Sequence, residues 1–414
     1  MADKAYLISF DGTAVEDDFY GDVLSVRVEE DVTHATRLTL QLATSVQDDG
    51  SWSHLDDDRL ALFTSISVKM GFTGGGGLAG ALGGLADAIG LGGSSGGDDG
   101  MVPVFDGYIT AANLNLTSEP GGTTLQVTAM DTSVLMSLED KVATWPNMSD
   151  SDIAQQIVSA YGVQLQSDST ATVHQESDTT VIQRGSDFQF VRDLALRNGL
   201  EFYFETDKAS GDIVAYFRGP QLTDTPQPDL AIQFGDNSNL VNFSARLDGQ
   251  RPLSIKAQQV DIKAGSPNPA QAGDTQLNKL GGKDANSLIG DPLGALVTPQ
   301  DSQAQMLLLA TPTSDATELQ TMAQAVRDEA GWFIAAQGEV NSDAYQTVLR
   351  PHRTVLVKGA GKTYSGKYYV SKVTHEMKAD GTYSQKFEAR RNARDVDGSE
   401  QFGSSQLALS IPGI

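Results

Sequence analysis

Phe105-Asp106-Gly107-Tyr108-Ile109-Thr110, then a glycine-rich turn, then Leu125-Gln126-Val127-Thr128-Ala129-Met130, has a second version later in the chain. That version is Tyr364-Ser365-Gly366-Lys367-Tyr368-Tyr369-Val370, a turn, and Gln385-Lys386-Phe387-Glu388-Ala389-Arg390. Both read as aromatic, any residue, glycine, strand, turn, strand. A pattern that occurs twice points to a repeated structural unit. The competing reading is that any two β-hairpins look alike.

Working outward from the first version, apolar side chains alternate at Leu24, Val26 and Val28, at Leu38, Leu40 and Leu42, and at Ile66, Val68 and Met70. Period two in several short runs predicts half-buried antiparallel strands in a small barrel or sandwich. Around the second version the same reading covers Val355 and Val357, Tyr369 and Val373, Phe387 and Ala389. Three helices are expected between and beside these regions. Ser149 caps one carrying Ile153, Ile157 and Val158, with Asp152 completing a capping box. Ser186 caps a second carrying Phe190, Val191 and Leu194, with Gln189 in the box position and Gly199 ending it. Asp315 or Ser314 caps a third, with Leu319, Met322, Ala323, Val326 and Phe333 on one face. The expected organisation is a first β-barrel at 1–142 with a glycine-rich insert at 71–100, and a central α/β domain at 143–235. A second barrel with its helix follows at 236–264 and 314–394. A long excursion occupies 265–313 and a tail occupies 395–414.

The chain has 414 residues, enough for two to four domains. It carries 29 Lys and Arg against 54 Asp and Glu, a formal charge of −25, which argues against nucleic acid and anionic membranes as partners. With no cysteine, disulfides, thiolate metal sites and cysteine nucleophiles are excluded. The N-terminus lacks a signal-peptide pattern and no run of about 18 apolar residues occurs, so a cytosolic product is expected.

Several spellings of catalytic motifs lack their frame. Gly359-Ala360-Gly361-Lys362-Thr363 resembles the end of a phosphate-binding loop, but Leu356 stands where the first glycine belongs. Gly92-Gly93-Ser94-Ser95-Gly96 lies in a glycine tract, without the strand-turn-helix that a nucleophile elbow needs. His375-Glu376 has Ala379 where a zinc-binding histidine would follow. His34, His54, His174 and His352 are scattered and read, with His375, as surface or satisfied core side chains. No catalytic, metal or cofactor residue is therefore assigned.

Val181-Ile182-Gln183-Arg184-Gly185-Ser186-Asp187-Phe188-Gln189-Phe190-Val191-Arg192-Asp193-Leu194, running on to Asn198-Gly199-Leu200-Glu201-Phe202-Tyr203-Phe204, resembles the phage late control D and VgrG hub families. Leu349-Arg350-Pro351-His352-Arg353-Thr354-Val355-Leu356-Val357-Lys358-Gly359 and Gly366 to His375 are similar to the closing β-module of those families. There a Pro-Gly turn is usual, and this chain has Pro351-His352. The resemblance implies two antiparallel β-barrels like that of the tube protein, joined by an α/β domain. It also implies a non-enzymatic role as a trimeric, pseudo-sixfold adapter between a hexameric inner tube and a trimeric spike. Only some twenty residues follow Arg394, so the spike is expected to be a separate protein. Other baseplate components are further expected partners, with assembly in the cytoplasm and residence in a tail or injection particle. A tail-associated cell-wall hydrolase and a β-rich adhesin or carbohydrate binder are the alternative readings.

Two apolar patterns are candidate interfaces. Leu78, Leu82, Leu85 and Ile89 have helical spacing inside the glycine-rich insert, which reads either as a surface loop off the barrel or as an apolar segment docked on a neighbour. Leu407, Leu409 and Ile411 alternate like a strand that adds to a sheet edge of the spike or of a neighbouring subunit, the competing reading being a frayed terminus. With three chains in a ring, the charge per chain also predicts an acidic bore.

Overall fold

Leu38, Leu40 and Leu42 are buried while Thr39 and Gln41 between them are not, and the same alternation orders most of the long strands. The computed structural model describes residues 3–73, 101–119, 121–178, 180–261, 265–290, 305–308, 316–396 and 398. The fold is mainly β with an α/β insertion. In chain order the first β unit contains β1 (Asp3–Phe10), β2 (Val23–Asp31), β3 (Arg37–Ala43), β4 (Ser65–Thr73), β5 (Met101–Asn115) and β6 (Thr124–Asp131). The α/β unit contains β7 (Asp140–Trp145), α1 (Asp150–Ser159), β8 (Gln164–Ser167), β9 (Val181–Ser186), α2 (Asp187–Arg197), β10 (Glu201–Thr206) and β11 (Ile213–Arg218). Next come β12 (Gln227–Ala231), β13 (Leu240–Leu247), β14 (Ser254–Asp261), β15 (Ser266–Ala272), β16 (Gln305–Leu308) and α3 (Ala316–Ala330). The chain then forms β17 (Ile334–Asn341), β18 (Thr354–Lys358), β19 (Gly366–Lys378) and β20 (Tyr383–Arg391).

The strand order reveals a duplication. The first unit is laid out β2-β3-β6-β5-β4-β1, and the second is laid out β13-β17-β20-β19-β18-β12. Taken in chain order, six strands match six strands, place for place. The one difference is that β1 runs antiparallel to β4 whereas β12 runs parallel to β18. Two of the irregularities coincide. A bulge interrupts β2–β3 between Val23 and Ser25, and β13–β17 between Leu240 and Asn242. Another interrupts β5–β6 between Ile109 and Ala111, and β19–β20 between Val370 and Lys372. A bulge adds one residue and re-aims the strand, so shared bulges fix a shared register.

That register refines the repeat seen in the sequence. Leu125 to Met130 match Gln385 to Arg390 residue for residue, because β3 and β17 pair with them identically. On the preceding strand Tyr108 matches Tyr369, since each lies opposite Met130 or Arg390. Gly107 and Gly366 are therefore two positions out of step rather than equivalent. The displacement is an even number, so the buried faces still agree. The two glycines have separate causes: a Cβ on Gly107 would overlap the Met130 carbonyl, and one on Gly366 would overlap the Arg391 guanidinium.

The copies differ most in one connection. Residues 32–36 join β2 to β3, whereas 248–333 join β13 to β17. This longer segment folds as a layer of its own: β15-β14-β16 form a sheet, and α3 lays Leu319 and Ala323 on Ile255, Ala257, Ala270 and Ala272. Residues 265–313, read from composition as an excursion, thus contribute strands. Phe333, expected on the helical stripe, lies beyond α3 and is buried in the second unit's core beside Ile334 and Leu349.

In the α/β unit, Ser149 and Asp152 form the expected capping box on α1. Ser186 accepts from the Gln189 amide, but among the described residues the return bond from Gln189 is absent, so α2 starts on a single cap. Ile153, Ile157 and Val158 of α1 pack with Val191 and Leu194 of α2 over Phe202 and Phe217.

Candidate interfaces: the closed joint and the open edges

β19 is long enough to serve two neighbours. Its first part, Gly366–Tyr369, pairs with β18 of its own unit. Its second part, Lys372–Lys378, pairs antiparallel with β2 of the first unit, with Lys372 opposite Asp31, His375 opposite Val28 and Met377 opposite Val26. One sheet therefore runs through both copies. On its inner face the joint buries Glu30, which faces His375 Nε2 at 3.1 Å and Arg350 Nε at 3.0 Å. His375 Nδ1 lies 2.8 Å from the Tyr383 hydroxyl, and Arg350 also donates to the Pro103 carbonyl at 2.6 Å. A buried carboxylate is tolerated only when charge and hydrogen bonds offset its lost hydration, and Glu30 is held by groups from the second copy.

The α/β unit is fastened to the same place. Burial works against ionisation of Glu205, but Arg350 and Arg353 outweigh it and hold the carboxyl down at about 2. The Arg353 fork bonds Glu205 at 2.8 and 3.1 Å. Glu201, also buried, is kept below the usual carboxylate range by His352 and Arg390, and it accepts from the Tyr369 hydroxyl at 2.6 Å. His352 lies parallel to Tyr203 with 3.4 Å between ring centres, and its Nδ1 is 3.0 Å from Glu201. Its backbone has φ +59°, the left-handed region that favours glycine. The residue standing where the resembling modules usually have glycine thus adopts a glycine-like conformation, held by a stack and a hydrogen bond. A second clamp joins α2 to both α1 and α3: Arg197 and Asn198 bond Asp150, and Arg197 lies 3.3 Å from Glu318.

Glu205, Glu201 and Asp150 are paired and held ionised, which suits cohesion rather than general acid catalysis. Gly359 has φ +81° and would overlap the Ile232 carbonyl with any Cβ, so packing of β12 beside β18 accounts for it. His174, His352 and His375 are buried and partnered, His54 meets Asp22, and His34 is exposed. Among the described residues no group of acidic and imidazole side chains is arranged to hold a metal, and no helix is long and apolar enough to cross a membrane. A groove of about 570 Å³ lies between α2, α3 and Trp332, lined by Leu196, Leu200, Ala325 and Val326.

The closed joint has an open counterpart. In β5, Gly107–Asn115 pair with β6, but β4 stops opposite Tyr108, and among the described residues no strand covers the other side beyond Ile109. Among the described residues β13 ends the sheet, paired only with β17. Leu114 and Leu116 are 44% and 57% exposed there. On the polar face of the closed joint, Arg27, Arg37, Lys372 and Lys386 interleave with Glu29, Asp31, Glu339, Glu376 and Glu388. The acidity of the chain does not collect on this face.

The seven residues assigned to interfaces from sequence, Leu78, Leu82, Leu85, Ile89, Leu407, Leu409 and Ile411, lie outside the described residues. Sequence reasoning missed the ionic junction. Its signal was Arg350-Pro351-His352-Arg353, a basic cluster set between apolar runs.

Among solved structures, the chain is similar to the 43 kDa tail protein of prophage MuSo2 from Shewanella oneidensis, at 11% identity and a TM-score of 0.61, covering 95% of this chain and 100% of that one. It is similar to the tail protein from Neisseria meningitidis MC58, at 11% identity and a TM-score of 0.60, covering 94% and 97%. It is also similar to the E. coli c3393 protein, described as a type VI secretion component with structural similarity to the T4 tail proteins gp27 and gp5. That match has 15% identity, a TM-score of 0.51 and coverage of 93% and 76%. At these identities the likeness is one of fold. No curated protein matches the chain in sequence. Residues 94–379, more than half of the chain, match the family described as the Alg8 N-terminal domain, and the chain belongs to that family.

Proposed function

We propose that this chain is the structural hub of a contractile tail or injection machine. Three copies close into a ring that offers six β units to a hexameric inner tube on one side and a threefold spike on the other. The observation that carries this reading is the duplication. Two units of one topology and one register, fused in a chain, turn a threefold ring into a pseudo-sixfold one. The tail-protein folds it resembles support the same reading, as do the resemblances at 181–204 and 349–375. The role is one of interfaces, and the partners are the tube protein, the spike and neighbouring baseplate components. Assembly takes place in the cytoplasm, and the product is part of the particle.

The test is mass. The chain is 44.0 kDa, so a trimer is 3 × 44.0 = 132 kDa. Light scattering of the purified protein, alone and with the tube protein, is expected to give the trimer. A monomer of 44.0 kDa under both conditions defeats the proposal.

A further inference from the structure

We infer that the free half of β5 pairs antiparallel with β13 of a second copy of this chain, in a register set by the closed joint. This deepens the ring reading above and rests on it. The closed joint supplies the template: β19 of the second unit pairs with β2 of the first. By the shared bulges, β5 stands where β19 stands and β13 stands where β2 stands. Within one chain the second unit's β19 is satisfied, while among the described residues β5 and β13 each keep a bare edge on the matching side. Such edges seek a strand, and the structure already contains the strand that fits.

The register follows from the equivalences. Val373, His375 and Met377 of β19 correspond to Ala112, Leu114 and Leu116. Glu30, Val28 and Val26 of β2 correspond to Leu247, Ala245 and Phe243. Transferring the closed pairing gives Ala112 opposite Leu247, Leu114 opposite Ala245, and Leu116 opposite Phe243. Every inward position on the open edges is apolar, whereas the closed joint sets Glu30 and His375 there. On the other face the transfer sets Asn113 opposite Arg246 and Asn115 opposite Ser244, so no like charges meet. The exposure of Leu114 and Leu116 is then that of an uncovered contact surface. The contact is head to tail, because one chain gives β5 and the next gives β13, and such a contact either closes a ring or extends without end.

The chain has no cysteine, which makes the test clean. Full-length Leu114→Cys and Ala245→Cys chains, each carrying one thiol, are mixed and oxidised. Directly opposed residues have Cα atoms about 4.5–5.5 Å apart, within disulfide range. Leu114→Cys with Leu247→Cys, and Ala112→Cys with Ala245→Cys, are the controls two residues out of register. The expected result is a covalent dimer at least ten times stronger for the 114/245 mixture than for either control. Leu114→Glu is expected to abolish the oligomer without changing the circular dichroism spectrum, since the side chain is exposed in the single chain. A 132 kDa particle without preferential 114/245 crosslinking overturns the register and leaves the ring standing. A chain that stays monomeric at tens of micromolar, with and without the tube protein, overturns both.

Discussion

The first β unit sets Leu40 opposite Val127, and the second sets Gly338 opposite Phe387 at the same register position. One copy divides the volume between two medium side chains, and the other gives nearly all of it to one ring. A Cβ on Gly338 would come within 2.9 Å of that ring. The copies share topology, bulges and buried faces while sharing few residues. What they keep is the backbone hydrogen-bond register, and volume is exchanged across a strand pair. The joints differ in the same spirit: the closed one carries buried charge, and the open edges carry leucine and alanine.

The contrast between joints gives the largest effect. Arg350→Ala removes the cation that holds Glu30 and Glu205 and donates to Pro103. Uncompensated buried charge of this kind costs about 3–5 kcal/mol, to be measured by denaturant unfolding. Leu114→Glu on the open edge should change single-chain stability by no more than about 0.5 kcal/mol. Equal losses at the two places would erase the distinction between them.

Acid sharpens the same contrast. The Glu205 carboxyl is held at about 2 against an ordinary 4.5. Its folded value is depressed, so its contribution is complete above about pH 4.5 and is lost as pH falls toward 2. Between those limits the junction should lose about 2–3 kcal/mol, and Arg353→Ala, which removes the bidentate partner, should flatten that limb. An unchanged acid limb in the variant would mean that Glu205 does not depend on Arg353.

The Gly338–Phe387 pair can be pushed toward its counterpart. Gly338→Leu should cost about 1–3 kcal/mol through overpacking, and Phe387→Val a similar amount through a cavity. Together they should recover about 1 kcal/mol of the summed cost. Recovery stays incomplete because the Asn242 carbonyl, 2.7 Å from a Cβ at residue 338, does not move with Phe387. Strict additivity in the thermal or denaturant midpoints would refute the compensation.

Much of this was legible in the sequence. Period two gave the strands of both units and their buried faces, and the caps at Ser149 and Ser186 gave two helices. The turn-side strand of the repeat was aligned correctly from residue types alone. The neighbouring strand was not, because Gly107 and Gly366 look alike for reasons that only packing reveals. The topology of the second copy was hidden by 248–333, which separates β13 from β17 and carries its own sheet. The junction was hidden because Glu30, Glu205 and Arg350 are far apart in the chain, and charged residues are too common in this sequence to mark a pair.

A pH-dependent effect comes from one position that the copies treat oppositely. Asp106, on β5, faces Ser67 across the ladder, and its counterpart Lys367 faces Leu356. Asp106 lines a cavity with Pro103 and with Phe204 and Ile213 of the α/β unit, and burial alone pushes its carboxyl up to about 6. Among the described residues no hydrogen bond reaches that carboxylate. Its folded pKa lies above the unfolded one, so ionising it weighs against the folded state. The cost is absent below about pH 4, grows through pH 6 and is complete by pH 7. The full shift corresponds to about 3 kcal/mol, and partial exposure screens it to about 1–2. Asp106→Asn keeps the shape and removes the charge, so it should stabilise the chain by that amount at pH 7 and by nothing at pH 4. A gain that is the same at both pH values would mean that the carboxylate is solvated, and that the α/β unit does not seal the first copy at this point.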